Sequence, residues 1–196
     1  MSDQLTPEEI AEREDYTQQL TEFRRQKDHF FGSSPQSPIP AAERRSGFHG
    51  LNYYPPNPDF QIVAQVTPIT DSDVVELNTS TGDMRPQRRA ARLAFTVGDA
   101  DLTLVGFTDP DEDHLHELFI PFRDATSGGE TYGAGRYLEA VVDQDDDGAL
   151  QTVLDFNLAY NPYCAYSEDY SCPIPPAENR LAAPITAGER TYGEGH

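Results

Sequence analysis

Apolar residues change period twice along the chain. Thr6-Pro7-Glu8-Glu9 is a helix start, with Thr6 as cap, Pro7 at the first helical position and Glu9 closing a capping box. Ile10, Tyr16, Leu20, Phe23 and Phe30 then recur at helical spacing with charge between them, predicting one helix over about residues 7–31. Gly32 is a natural stop, and the apolar side chains are expected to dock on the body or on a partner. Residues 33–60 carry prolines at 35, 38, 40, 55, 56 and 58, which predicts an irregular arm without helix or central strand. Phe48, Leu51, Tyr53 and Tyr54 give that arm enough apolar area to wrap on the domain.

From residue 61 the period becomes two. Ile62, Ala64 and Val66 share one face of a strand and Gln61, Val63 and Gln65 the other. Further strands are expected at 73–78, 91–97, 101–108, 114–122, 131–142 and 151–157, with a hairpin turn at Gly98-Asp99. Seven short, closely spaced strands predict a mainly β domain, an antiparallel β-sandwich or barrel, preceded by one N-terminal α-helix and ending in a long irregular C-terminal loop segment. The expected organisation is therefore residues 1–32 as a helix packed on or flanking the domain, and 33–196 as a single β-rich domain.

Charge narrows the setting. The chain has 34 acidic against 14 basic residues, a net charge of -20, and Lys27 is the only lysine. This composition fits a protein kept soluble at high salt, where self-repulsion is screened. It argues against binding bare nucleic acid or an anionic membrane. Arg85, Arg88, Arg89 and Arg92 are the only basic cluster and read as a solvated patch. No stretch has the length and apolarity of a membrane span, and MSDQLTPEEI lacks the features of a secretory signal, so the expected location is cytoplasmic.

Several constellations invite chemistry. Asp143, Asp145, Asp147 and Gly148 resemble half a calcium loop, but the twelfth position is Leu154 and the flanks are strands, so an acidic hairpin turn is the better reading. His114 and His116 alternate in an expected strand, with no third metal ligand nearby; no metal is expected. Cys164 and Cys172 are ranked as structural cysteines first, metal ligands second and a nucleophile third. Arg136, flanked by Tyr132 and Tyr137, can grip a carboxylate or phosphate, or anchor a loop by pairing with Asp124, Asp155 or Glu178.

Three irregular runs carry a family resemblance. PFRDATSGGETYGAGRYL at 121–138, DFNLAYNPYCAY at 155–166 and CPIPPAENRLAAPITAGER at 172–190 resemble, in this order, the family named domain of unknown function 1684, with Ser37-Pro38 and Phe48, Gly50 and Leu51 matching upstream. The resemblance spans about residues 20–192, with the signature itself at 121–190, and the acidic composition is similar to haloarchaeal members. It implies one compact, mostly β domain and no particular activity.

Three functions compete. In the first, Arg136, Asp155, Asn157, Asn161, Glu178 and Asn179, with Tyr132 and Tyr160, line one pocket for a small molecule, roofed by Tyr160, Tyr163 and Tyr166. In the second, the same cluster is an enzyme of hydrolase-like type, with Asp155 or Glu178 as general base and Arg136 stabilising negative charge. In the third, the cluster pins a structural loop and the N-terminal helix meets a partner. Buried and mutually satisfied polar groups would favour the third. Neither the ligand, a cofactor nor the oligomeric state is legible in the sequence.

Overall fold

The computed structural model describes residues 5–70, 74–112 and 114–193. Helix α1 runs over Pro7–Ser33 and α2 over Ala41–Gly47. Seven strands follow: β1 Gln61–Pro68, β2 Val74–Asn78, β3 Met84–Val97, β4 Ala100–Thr108, β5 Glu117–Phe122, β6 Arg136–Gln144 and β7 Leu150–Asp155. The expected start of the second strand at Asp73 lies outside the described residues.

All pairings between these strands are antiparallel, in the order β1-β7-β6-β5-β4-β3-β2, and β1 also pairs with β3. That last pairing closes six strands into a barrel, which decides between the two expected architectures. Closure depends on β3. Its C-terminal half pairs with β1 from Gln65↔Ala94 to Pro68↔Ala91, while its N-terminal half pairs with β2. A bulge between Arg89 and Ala91 separates the halves and lets β3 leave the barrel with β2 beside it.

Alternation puts Ile62, Ala64 and Val66 inward. They join Leu93, Phe95, Leu104, Leu118, Ile120, Phe122, Leu138 and Leu154 in one core, which Phe156, Leu181 and Ile185 from the C-terminal segment complete. Removal of that apolar area from water is the main favourable term. Gly106 is dictated by this packing, since a Cβ there would lie 2.9 Å from a Leu118 methyl carbon.

Helix α1 begins as expected: the Thr6 hydroxyl accepts the Glu9 N–H at 3.3 Å and the Glu9 carboxylate accepts the Thr6 N–H at 2.7 Å. It ends one residue beyond Gly32, at Ser33. The glycine serves packing instead, because a Cβ would meet the Phe48 ring at 2.9 Å. The docking face agrees with expectation in part. Leu20 is buried and Tyr16 half-buried, as expected, but Ile10, Phe23 and Phe30 are exposed, while Arg24 and Phe31 are buried instead. Arg24 follows the polar contacts described below. In the proline-rich arm Ala41–Gly47 is a short helix, because Pro40 stands at its N-cap and no proline follows until Pro55.

Two strands start later than expected, and β7 ends at Asp155, before a 3-10 turn over Phe156–Leu158. β5 starts at Glu117, so His114 and His116 lie in the preceding turn and do not share a strand face. β6 starts at Arg136, because residues 126–135 are taken up by turns, with Gly128 and Gly135 at positive φ. At Asp145 the β6–β7 turn is held by its own carboxylate, which accepts the N–H groups of Asp147 and Ala149 at 3.0 and 2.8 Å. Among the described residues no helix is long and apolar enough to cross a membrane.

Candidate functional site

The C-terminal segment has no strand ladder of its own: short turns at Phe156–Leu158, Tyr163–Ala165 and Ala177–Asn179 alternate with hydrogen bonds to the barrel. Asn179 shows how. Its side chain accepts the Val105 N–H at 2.7 Å and donates to the carbonyls of Val105 and Pro121, both at 2.8 Å, so a buried amide replaces a missing strand. Asn157 does the same for the proline arm, accepting the Asn57 N–H at 2.9 Å and donating to its carbonyl at 2.8 Å. Arg136 is 1% exposed and donates to the carbonyls of Ile185, Ala187 and Glu189 and to the Asp124 carboxylate. It thereby fixes residues 185–189 over one end of the barrel. Burial pulls its pKa down and Asp124 opposes that pull.

These three residues share no hydrogen-bond partner. Glu178 faces outward and pairs with Arg89 at 2.8 Å. Asp155 accepts the Tyr16 hydroxyl of α1 at 2.8 Å and the Asn157 N–H at 3.1 Å. Within the arginine cluster, Arg85 donates to the Ser171 carbonyl and Arg88 to that of Pro110.

Tyr160 and Asn161 have a different setting. They line a cleft of about 890 Å³ on the outer surface of the barrel. Phe119, Tyr137 and Glu139 from β5 and β6 form its floor, the C-terminal half of α1 one wall, and residues 158–163 and 170–173 the other, with Arg85 and Gln87 of β3 also lining it. Tyr137 is the keystone. Its ring stands edge-on to Phe119 at 4.8 Å and to Tyr160 at 5.8 Å, and its backbone exchanges two hydrogen bonds with Tyr160. Burial pushes the phenol pKa of Tyr137 and of Tyr160 up, and the Tyr160 hydroxyl donates to Glu139 at 2.9 Å.

Four large apolar side chains remain exposed here, namely Phe23, Phe30, Leu158 and Tyr163. Contiguous exposed apolar surface of this kind marks a binding site more often than scattered single residues do. In its wall lies an ion pair between part-buried Lys27 and buried Glu189. Lys27 meets Glu189 at 2.6 Å, and Glu189 also accepts the Tyr166 hydroxyl at 2.6 Å and the Asn161 N–H at 2.8 Å. The Lys27 ammonium sits 5.1 Å from the Tyr160 ring centre. Asn161 Oδ1 is buried without a partner among the described residues.

The sequence reading did not single out Lys27, Arg85, Glu139 or Glu189 as site residues. One signal was present: in a chain whose other basic residues are all arginine, a lone lysine asks for a reason, and here it is a compact ammonium on a buried carboxylate.

Cys164 and Cys172 stand at the cleft's edge, both half-buried, with Cys172 in its lining. Cys172 Sγ accepts the Cys164 N–H at 3.4 Å, and the Tyr132 hydroxyl approaches Cys164 Sγ at 3.8 Å. The Cys172 thiol donates to Cys164, and hydroxyls of Ser80 and Tyr132 add to it, which brings Cys164 down to about 6; its proton-sharing partner Cys172 moves up.

Fold and cleft together define a class: a small closed antiparallel barrel with a helix laid along its side and an aromatic cleft between them. Within that class the chain belongs to the family described as a protein of unknown function, DUF1684, whose profile matches residues 46–190. It is similar to an uncharacterised protein of Haloarcula marismortui solved by NMR, with 42% identity and a TM-score of 0.70 over 94% of this chain and 99% of that one. No curated protein matches the chain.

Proposed function

We propose that this protein binds a small amphipathic molecule in the cleft between α1, β5–β6 and the C-terminal segment. Four exposed apolar side chains converging on one concave surface carry this reading. Arg85, which is exposed and donates to the Ser171 carbonyl at 3.2 Å, supplies a cation for an acidic head group. Lys27 is neutralised by Glu189 and serves to shape the wall. Tyr160 and Asn161 contact the ligand in this reading. Arg136, Asp155, Asn157 and Asn179 hold the surrounding loops, while Glu178 and Tyr132 steady its periphery. A net charge of -20 with one lysine supports a salt-rich cytoplasm, of haloarchaeal type, as the working environment.

The probe for this reading is 8-anilinonaphthalene-1-sulfonate, an aromatic body with an anionic head. Its fluorescence should titrate to one site on the folded protein, and NMR shifts should centre on Phe23, Phe30, Leu158 and Tyr163. Phe30→Ala and Arg85→Ala should each weaken binding by up to about tenfold. Binding left unchanged by both variants, in protein with a native NMR spectrum, would show that the cleft is not the site.

A further inference from the structure

We propose that Cys164 and Cys172 form a dithiol–disulfide couple that a hydroperoxide reaching the cleft oxidises. The Cys164 N–H donates to Cys172 Sγ at 3.4 Å, and each cysteine is carried by backbone fixed from elsewhere. On one side, Tyr166 follows Cys164 closely and is buried against Phe31 at 5.2 Å, with its hydroxyl on Glu189. On the other, Ser80 brackets Cys172: the Ser80 N–H donates to the Cys172 carbonyl at 2.9 Å and the Cys172 N–H to the Ser80 hydroxyl at 3.2 Å. A covalent link therefore joins two points that are already adjacent, and Cys172 lines the cleft through which an oxidant arrives. This proposal is independent of the ligand-binding reading, since it needs only access for a small peroxide.

The chemistry balances on the two thiols and one hydroperoxide. The Cys164 thiolate attacks the peroxide, an S–O bond forms, the O–O bond breaks, and the leaving hydroxide, or the alkoxide of an organic hydroperoxide, takes up a proton as water or alcohol. Cys172 sulfur then attacks the Cys164 sulfenic acid, an S–S bond forms, and water leaves with the Cys172 proton. Two electrons pass from the sulfurs to the peroxide. Donation from Cys172, Ser80 and Tyr132 favours the thiolate that begins the sequence.

The test uses the whole reduced protein and one equivalent of hydrogen peroxide. Intact mass should fall by two hydrogens within a monomer, and alkylation by iodoacetamide should then be blocked until a reductant is added. Before oxidation, the alkylation rate should titrate near pH 6, against about 8.5 for a free cysteine. Cys172→Ser should stop at the sulfenic acid of Cys164, trapped by dimedone. An unchanged wild-type mass, added oxygen without loss of hydrogen, or a disulfide between two chains would each overturn the proposal. The wild-type measurements decide even where the variant does not fold.

Discussion

Arg136 carries a positive charge into a place where almost no water reaches it, and four acceptors from two directions surround its fork. Such a group stabilises the fold less by attraction than by the cost of leaving its partners alone. Asp124 is also buried, and accepts the N–H groups of Thr126 and Ile185 as well as the guanidinium. Arg136→Ala should therefore destabilise the protein by about 3–5 kcal/mol, the range for breaking one side of a buried pair. Arg136→Lys should recover less than half of that loss, because a compact ammonium cannot span carbonyls at Ile185, Ala187 and Glu189 together. Urea unfolding is the measurement, since guanidinium would itself screen the chain's charge. A loss under about 1 kcal/mol for the alanine variant would refute this account of residues 185–189. The sequence offered Arg136 as either a ligand grip or a loop anchor, with Asp124 among its possible partners. Which carbonyls it holds was not legible, because Ile185 to Glu189 approach it only once the barrel has closed.

Helix α1 joins the body by a stripe that is polar for much of its length. Tyr16 reaches Asp155; Arg24 donates to the Tyr54 carbonyl at 2.7 Å and the Asn157 carbonyl at 3.3 Å; Lys27 meets Glu189; Asp28 accepts the Leu51 N–H at 3.0 Å. A hydrophobic-period reading finds the helix and its start, because Thr6 and Glu9 act locally. It finds Tyr16 and Leu20 but misses the rest of the docking face, because Arg24, Lys27 and Asp28 look like solvent residues until their partners are in place. Phe23 and Phe30 have the right spacing and line the cleft instead. Directional bonds of this kind are lost together, so α1 is expected to open as a separate unit of local stability. Arg24→Ala removes two charged hydrogen bonds, each worth about 1.5–3 kcal/mol. In hydrogen exchange the amides of α1 should become markedly faster while those of β4, β5 and β6 keep their protection. The cleft loses a wall at the same time, and dye binding should fall with it. Equal acceleration in helix and barrel would mean that α1 belongs to one cooperative unit with the strands.

At the scale of the whole molecule, the strands were legible and their closure was not. Ile62, Ala64 and Val66 announce an inward face by alternation alone, but the contact between Gln65 and Ala94 that closes the barrel depends on a bulge at Arg89 and Ala91, which no turn residue marks. The charge, by contrast, is legible in full and acts on the molecule as one body. With a net charge of -20 on a compact barrel, the folded state holds acids closer together than the unfolded chain does. Folding then works against self-repulsion, and salt relieves it. The screening length falls from about 10 Å at 0.1 M to about 3 Å at 1 M, so most of the relief comes below 1 M. Salting-out of apolar surface strengthens burial separately, through exclusion of salt from the surface. The expected thermal curve in potassium chloride therefore rises steeply to about 1 M and then flattens. A gain of about 1–2 kcal/mol over that range corresponds to roughly 2–4 °C per kcal/mol. Exposed Asp111, Asp146 and Asp147 accept no side-chain hydrogen bond among the described residues, so changing all three to Asn reduces charge with little other disturbance. That variant should gain stability in low salt and show a shallower rise. If the wild type and the variant rise in parallel, the salt effect is salting-out of apolar surface, and the acidic surface has no part in stability.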